Sequence, residues 1–254
     1  MKNKILHIFL SFLFSNLIYF AANSTEQFNF NVTEIEILND GKIIKGLKKG
    51  TVKTDDGVII TADTFLYDKS SNILTANGNV EIIDSNKNFK LYSDNVIYEK
   101  NNEMITSNIN SKAIYDVGKF IYADSFKFNR NENILNAKNN VKIENTIDDY
   151  IIIGDDFTYY KKFEKIITKG QTKAFIESNY EINSRDVTYL INESNLASEY
   201  KTKIEDKINS QLYFIEKFDY QINQEVLKGE KVLIVTNYNL PKSDKIFFKS
   251  AIIN

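Results

Sequence analysis

The sequence predicts an all-β chain: an elongated, twisted β-jelly roll of stacked antiparallel strands, built on a repeat of about thirty residues. Three observations predict it. An apolar-x-aromatic element recurs at alternating offsets of 31 and 30 residues, starting at positions 65, 96, 126, 157, 187 and 218. Within each copy apolar and polar residues alternate with the period of two that a half-buried strand requires. No long segment carries a 3.6-residue apolar period bounded by helix caps.

The first element precedes the repeats. Lys2 and Lys4 lead into an apolar stretch, Ile5 to Phe20, broken by His7, Ser11, Ser15 and Asn16 and followed by small residues at Ala22 and Ser24. This pattern predicts a secretory signal peptide over residues 1–24, cleaved after Ser24, with Ala22 the next candidate. An uncleaved anchor is the competing reading, but the stretch is short and polar for a span. The mature chain, residues 25–254, is therefore expected beyond the inner membrane as one β domain. It holds six to seven copies of the repeat, the last incomplete, because Phe247 to Asn254 starts another copy and stops within it.

Each copy opens with a small residue (Ala62, Ser93, Ala123, Gly154, Ser184), usually followed by an acid, and then the apolar pair. Two positions before the opening residue stand Ile60, Leu91, Ile121, Ile152, Ile182 and Tyr213, of opposite parity to the pair. A straight strand would send the two apolar sets to opposite faces. A bend or bulge at the small-acidic step would bring both to one interior; a sheet buried on both sides is the alternative. Polar turns such as Asp68-Lys69-Ser70-Ser71-Asn72 and Asn129-Arg130-Asn131-Glu132-Asn133 then lead into a second half-repeat. Its clearest copies are Leu74 to Ile82 and Leu135 to Ile143, with a weaker one from Val226 to Ile234. Strands joined by short turns are antiparallel neighbours, and stacked copies bury a continuous seam while leaving open edges at both ends.

Composition excludes several functions. The net charge of −2 lacks the basic surplus of a nucleic-acid binder. There is no Cys, and the single His, His7, lies in the targeting segment. The mature chain therefore lacks the commonest general base, metal ligand and nucleophile, and no enzyme activity, cofactor or metal is expected. Asp63, Asp94, Asp124 and Asp155 recur once per copy, but Arg185 breaks the series and the glycine-rich nonapeptides of calcium-binding β-rolls are missing. These acids read as solvated corners that hydrogen-bond the bend. The scattered lysines read as a solvated face, a few of them placed to meet lipid phosphates.

The opening Phe28-Asn29-Phe30-Asn31-Val32-Thr33-Glu34-Ile35-Glu36-Ile37, the Ala62-Asp63…Tyr67 element and the Ala76-Asn77-Gly78-Asn79-Val80 element resemble the organic-solvent-tolerance (OstA-like) repeat family. That family includes the periplasmic lipopolysaccharide carrier LptA and the N-terminal periplasmic domain of the lipopolysaccharide-assembly protein LptD. The opening segment is more similar to the LptD branch than to a free carrier. The resemblance implies a V-shaped β-taco whose apolar interior holds acyl chains. Its partners would be lipopolysaccharide and an LptA-type bridge protein paired through exposed strand edges. In a full-length chain they would also include the LptD barrel and its lipoprotein partner. It implies a periplasmic location at the outer membrane and no catalysis. Two departures stand out: there is no length for a barrel, so a fragment is expected, and no Cys for disulfide coupling to one.

On that resemblance the lipid-binding groove would be lined by Phe65, Tyr67, Val96, Tyr98, Phe126, Phe128, Phe157, Tyr159, Val187, Tyr189, Phe218 and Tyr220, with Val80, Ile82, Val141 and Ile143 on the facing sheet. At any single position the bland reading is core packing. The functional argument is collective: sheets that splay along one side would turn this ladder into an acyl groove. A structural periplasmic or surface β-solenoid without cargo is the alternative, and it predicts a fully closed core.

Overall fold

The computed structural model describes residues 28–253; the expected signal peptide and His7 lie outside them. In chain order the strands are β1 (Asn29–Val32), β2 (Ile35–Leu38), β3 (Ile43–Gly46), β4 (Gly50–Lys53), β5 (Val58–Ala62), β6 (Thr64–Asp68), β7 (Ile73–Asp84), β8 (Phe89–Glu99), β9 (Met104–Asp116), β10 (Lys119–Asn129), β11 (Ile134–Asn145), β12 (Tyr150–Tyr160), β13 (Lys165–Ile176), β14 (Tyr180–Arg185), β15 (Thr188–Leu190), β16 (Asn195–Ser198), β17 (Thr202–Asp206), β18 (Gln211–Ile215), β19 (Lys217–Gln221), β20 (Val226–Thr236) and β21 (Asp244–Ile253). Together they form one continuous 21-stranded antiparallel sheet.

That sheet is folded lengthwise into two facing walls. Each long strand crosses from one wall to the other, so its two halves belong to different walls. The first wall runs β1–β4–β5, then through half-strands of β7 to β13, then β14–β17–β18 and halves of β20 and β21. The second runs β2–β3–β6, through the other halves of β7 to β13, then β15–β16–β19 and the remaining halves of β20 and β21. The crease falls where the ladders slip, between Asn77 and Val80, Tyr92 and Asn95, Tyr122 and Ser125, Lys138 and Val141, and Gly154 and Asp156.

The crease is built in two ways. In strands leaving the first wall it lies at the small-acidic step, where the inward parity flips: Leu91 and Ser93 point inward before it, Val96 and Tyr98 after it. This is the bend expected from the sequence, and both apolar sets reach one interior. At Gly154 the missing side chain is a steric need. A Cβ on Gly154 would lie 2.6 Å from the Phe157 ring and 3.0 Å from the carbonyl oxygen of Gln171. In returning strands the crease is a pair of left-handed residues, Gly78-Asn79, Ile109-Asn110 and Asn139-Asn140, and inward parity is kept.

The recurring acids stitch these two crease types together. Asp63, Asp94 and Asp124 accept hydrogen bonds from the side-chain amides of Asn79, Asn110 and Asn140 at 2.7, 3.1 and 2.9 Å. Asp186 accepts from the backbone N–H of Gly170 at 2.7 Å, and Asp155 is exposed at its crease. No group of acids suited to a metal stands together among the described residues.

Candidate functional site

The candidate site is the space between the walls. All sixteen residues expected to line a groove point into it and belong to one hydrophobic core, none more than 6% exposed. Ile60, Leu91, Ile121, Ile152, Ile182 and Tyr213 join them from the first wall. Rings meet across the gap: Phe89 stacks on Phe128 at 4.3 Å between centroids, Tyr115 packs edge-on against Tyr159 at 5.4 Å, and Tyr150 against Tyr189 at 5.5 Å. The walls do not gape along this length. Between them a cavity of about 80 Å³ opens near the C-terminal end, lined by Tyr180, Ile182, Ile204, Tyr213, Tyr220 and Leu227 among others. Burial there pushes the Tyr213 hydroxyl up to about 12.

Three of the tyrosines that close the aromatic elements have a second task. Their rings sit in the core while their hydroxyls reach the lip of the second wall. Tyr67 donates to Asn72 Oδ1 at 2.9 Å, Tyr98 to Glu103 Oε2 at 2.7 Å and Tyr159 to Glu164 Oε2 at 2.7 Å. Each acceptor is the left-handed residue that ends the lip turn, five positions on. The aromatic thus ties the turn to the core, which explains a hydroxyl at the end of a buried ladder.

The lips of the two walls are bridged by charge. Arg130, placed by the sequence in a polar turn, is only 4% exposed. Its Nε donates to Asp84 Oδ2 and a terminal nitrogen to Asp56 Oδ2, both at 2.7 Å, and the same nitrogen contacts Glu103 and the Tyr98 hydroxyl. Asp84 is fully buried at the end of β7 on the opposite lip. Lys100 pairs with Asp56 at 3.2 Å and with Glu103. Lys161 crosses the gap to the backbone carbonyl oxygen of Asn88 at 2.6 Å and that of Lys87. Lys100 and Lys161 therefore are not part of a purely solvated face.

The electrostatics follow from this geometry. Burial alone would raise the Asp56 carboxyl, but hydrogen bonds from Thr54, Arg130 and Lys100 outweigh it and hold the group well below the usual carboxylate range. The same contest, with Lys100, Tyr98 and Arg130 against burial, lowers Glu103. Burial would lower the Arg130 guanidinium, yet its bonds to Asp84 and Asp56 raise it. Burial lowers the Lys161 ammonium. The cluster is a set of structural ion pairs across a mouth.

At either end the sheet offers unpaired edges. Among the described residues β1 pairs only with β4, β2 only with β3, and β21 only with β20. Phe247 and Ile252 on β21, and Ile37 on β2, are more than half exposed.

No family model and no curated protein matches this chain. Among solved structures it is similar to the crystal structure of LptH, the LptA-homologous periplasmic component of the conserved lipopolysaccharide transport device from Pseudomonas aeruginosa. The identity is 12%, the match covers 76% of this chain and 95% of that one, and the TM-score is 0.23, a likeness that carries no functional argument.

Proposed function

We propose that this chain is a non-catalytic, OstA-like lipid-transport module that carries lipopolysaccharide acyl chains between its walls toward the outer membrane. The observation that carries the reading is the continuous apolar interior, Phe65 to Tyr220, enclosed by one folded sheet that is open at both ends. An acyl chain replacing side-chain contacts there gains about 0.8 kcal/mol per buried methylene without directional bonds, which suits cargo that slides. The open edges suit pairing with an LptA-type bridge protein or, in a longer chain, the periplasmic end of an LptD barrel and its lipoprotein partner. The proposed location is the periplasm at the outer membrane, reached through the signal peptide at residues 1–24.

Photoreactive residues at Phe126 or Tyr159 should form adducts with lipopolysaccharide in cells. Absence of any adduct from every interior position removes the reading. A cargo-free scaffold is the second reading, and one observation favours it: the ladder is packed and its mouth is bridged by Arg130. A scaffold would give no adducts and no lipid on purification.

A further inference from the structure

The residue two positions after the last aromatic of each copy occupies one structural position on the second-wall lip. In order these residues are Lys69, Lys100, Arg130, Lys161, Ile191 and Ile222. The backbone N–H of each bonds the carbonyl oxygen of the preceding lip turn: Lys42, Asn72, Glu103, Asn133, Glu164 and Ser194, at 2.9 to 3.1 Å. Two strands separate successive members, so they stand roughly 9.5 Å apart in a column. Four cations in line are followed by two buried isoleucines.

Three of these cations, Lys100, Arg130 and Lys161, reach across the mouth to acceptors of the first wall, and Lys100 and Arg130 also pair with Glu103 on their own lip. Two positions before them stand the buried rings of Tyr98, Phe128 and Tyr159. A row of fixed cations at the boundary between water and an apolar interior is the arrangement that an anionic head group with acyl tails would complement. The same cations now hold the walls together through Asp56, Asp84 and two backbone carbonyls. A phosphate can take those donors only by displacing the present acceptors, and displacing them unties the lips.

We propose that Lys100, Arg130 and Lys161 form a head-group site for the phosphates of an acylated amphiphile, and that its occupancy exchanges the cations from the first wall to the phosphate and so unlatches the mouth. This rests on the lipid-transport reading and adds to it where the head group sits and how the walls part. Ile191 and Ile222 mark where the latch ends, and the cavity between Tyr180 and Tyr220 lies in that unlatched stretch.

The chain has no Cys, so spin labels at Ser85→Cys and Asn131→Cys, exposed residues on opposite lips, report the width of the mouth alone. Dihexanoyl phosphatidic acid should shift the label distance to longer values, whereas inorganic phosphate and dihexanoylglycerol should not. In the unlabelled chain, Arg130→Met with Asp84→Leu removes the ion pair as a unit, and phosphatidic acid should bind roughly tenfold or more weakly, approaching dihexanoylglycerol. Lys161→Met, which frees only two carbonyls at the lip, guards against a folding failure: it should weaken phosphatidic acid while dihexanoylglycerol binds no more weakly than to the parent. Phosphatidic acid that binds without moving the labels, or binds both variants as tightly as the parent, overturns the exchange and leaves lipid transport standing. If neither amphiphile binds and Phe126 gives no lipopolysaccharide adduct, the transport reading itself fails.

Discussion

Phe128 is the position where one hydroxyl should stabilise the fold. In three neighbouring copies a tyrosine at this place ties its hydroxyl to the residue five positions on. Here the ring is Phe, and the matching acceptor, Asn133 Oδ1, is buried without a hydrogen-bond partner. Phe128→Tyr would place a donor where the other copies have one. The ring could keep its stack on Phe89, because the new atom extends from the edge that faces the lip. A buried hydrogen bond contributes about 1 kcal/mol net, and an unsatisfied buried acceptor costs about 1–3 kcal/mol. The expected gain is therefore on the order of 1 kcal/mol, or about 2–4 °C in Tm for a chain of this size. Denaturant unfolding of the parent, Phe128→Tyr, Asn133→Ala and the double variant closes a cycle. The coupling between the two positions should be about 1 kcal/mol. A Phe128→Tyr variant that is no more stable than the parent, with no coupling to Asn133, refutes the reasoning.

Other perturbations follow from the crease and the latch. Arg130→Ala leaves Asp84 buried without its cation and should cost about 3–5 kcal/mol, while Arg130→Met with Asp84→Leu should recover most of that loss; equal losses in the two would mean that the charges do not act as a pair. Ile109 is β-branched at φ +69, where the neighbouring copies have Gly78 and Asn139, so Ile109→Asn should stabilise by about 1 kcal/mol, read from the unfolding midpoint. Asp56 and Glu103 lie below their ordinary values of 3.8 and 4.5 in the folded chain. They bind protons more readily when unfolded, so their contribution is full above about pH 4.5 and drains away as pH falls below it. Glu103→Gln should flatten stability against pH in that acid window, and an unchanged slope would sink the assignment.

The repeat and its inward ladder were readable from the chain because they are local. An apolar residue two places from a Tyr or Phe reports strand parity directly, and the parity flip between Leu91 and Val96 left two readings, a bend or a sheet buried on both sides, of which the structure shows the bend. The second crease left a fainter mark, the Gly78-Asn79 and Asn139-Asn140 pairs, whose left-handed backbone is what those residue types tolerate best. Arg130 was not readable. Its partners Asp84 and Asp56 lie 46 and 74 residues away, and its own turn, Asn129 to Asn133, has the polarity of any solvent-facing loop. How tightly the walls close was equally hidden, because composition counts aromatic rings without saying how far apart they stand.

The folded sheet also sets an arithmetic for changing its length. Each copy runs out along one strand and home along the next, so removing a whole copy, for example residues 95–124, rejoins equivalent points with the chain still travelling the same way. The molecule would shorten by two strand spacings, roughly 9.5 Å, and every remaining neighbour would meet a familiar surface. Excising half a copy would instead send the chain into the wrong wall, with the later strands running backwards against their old partners.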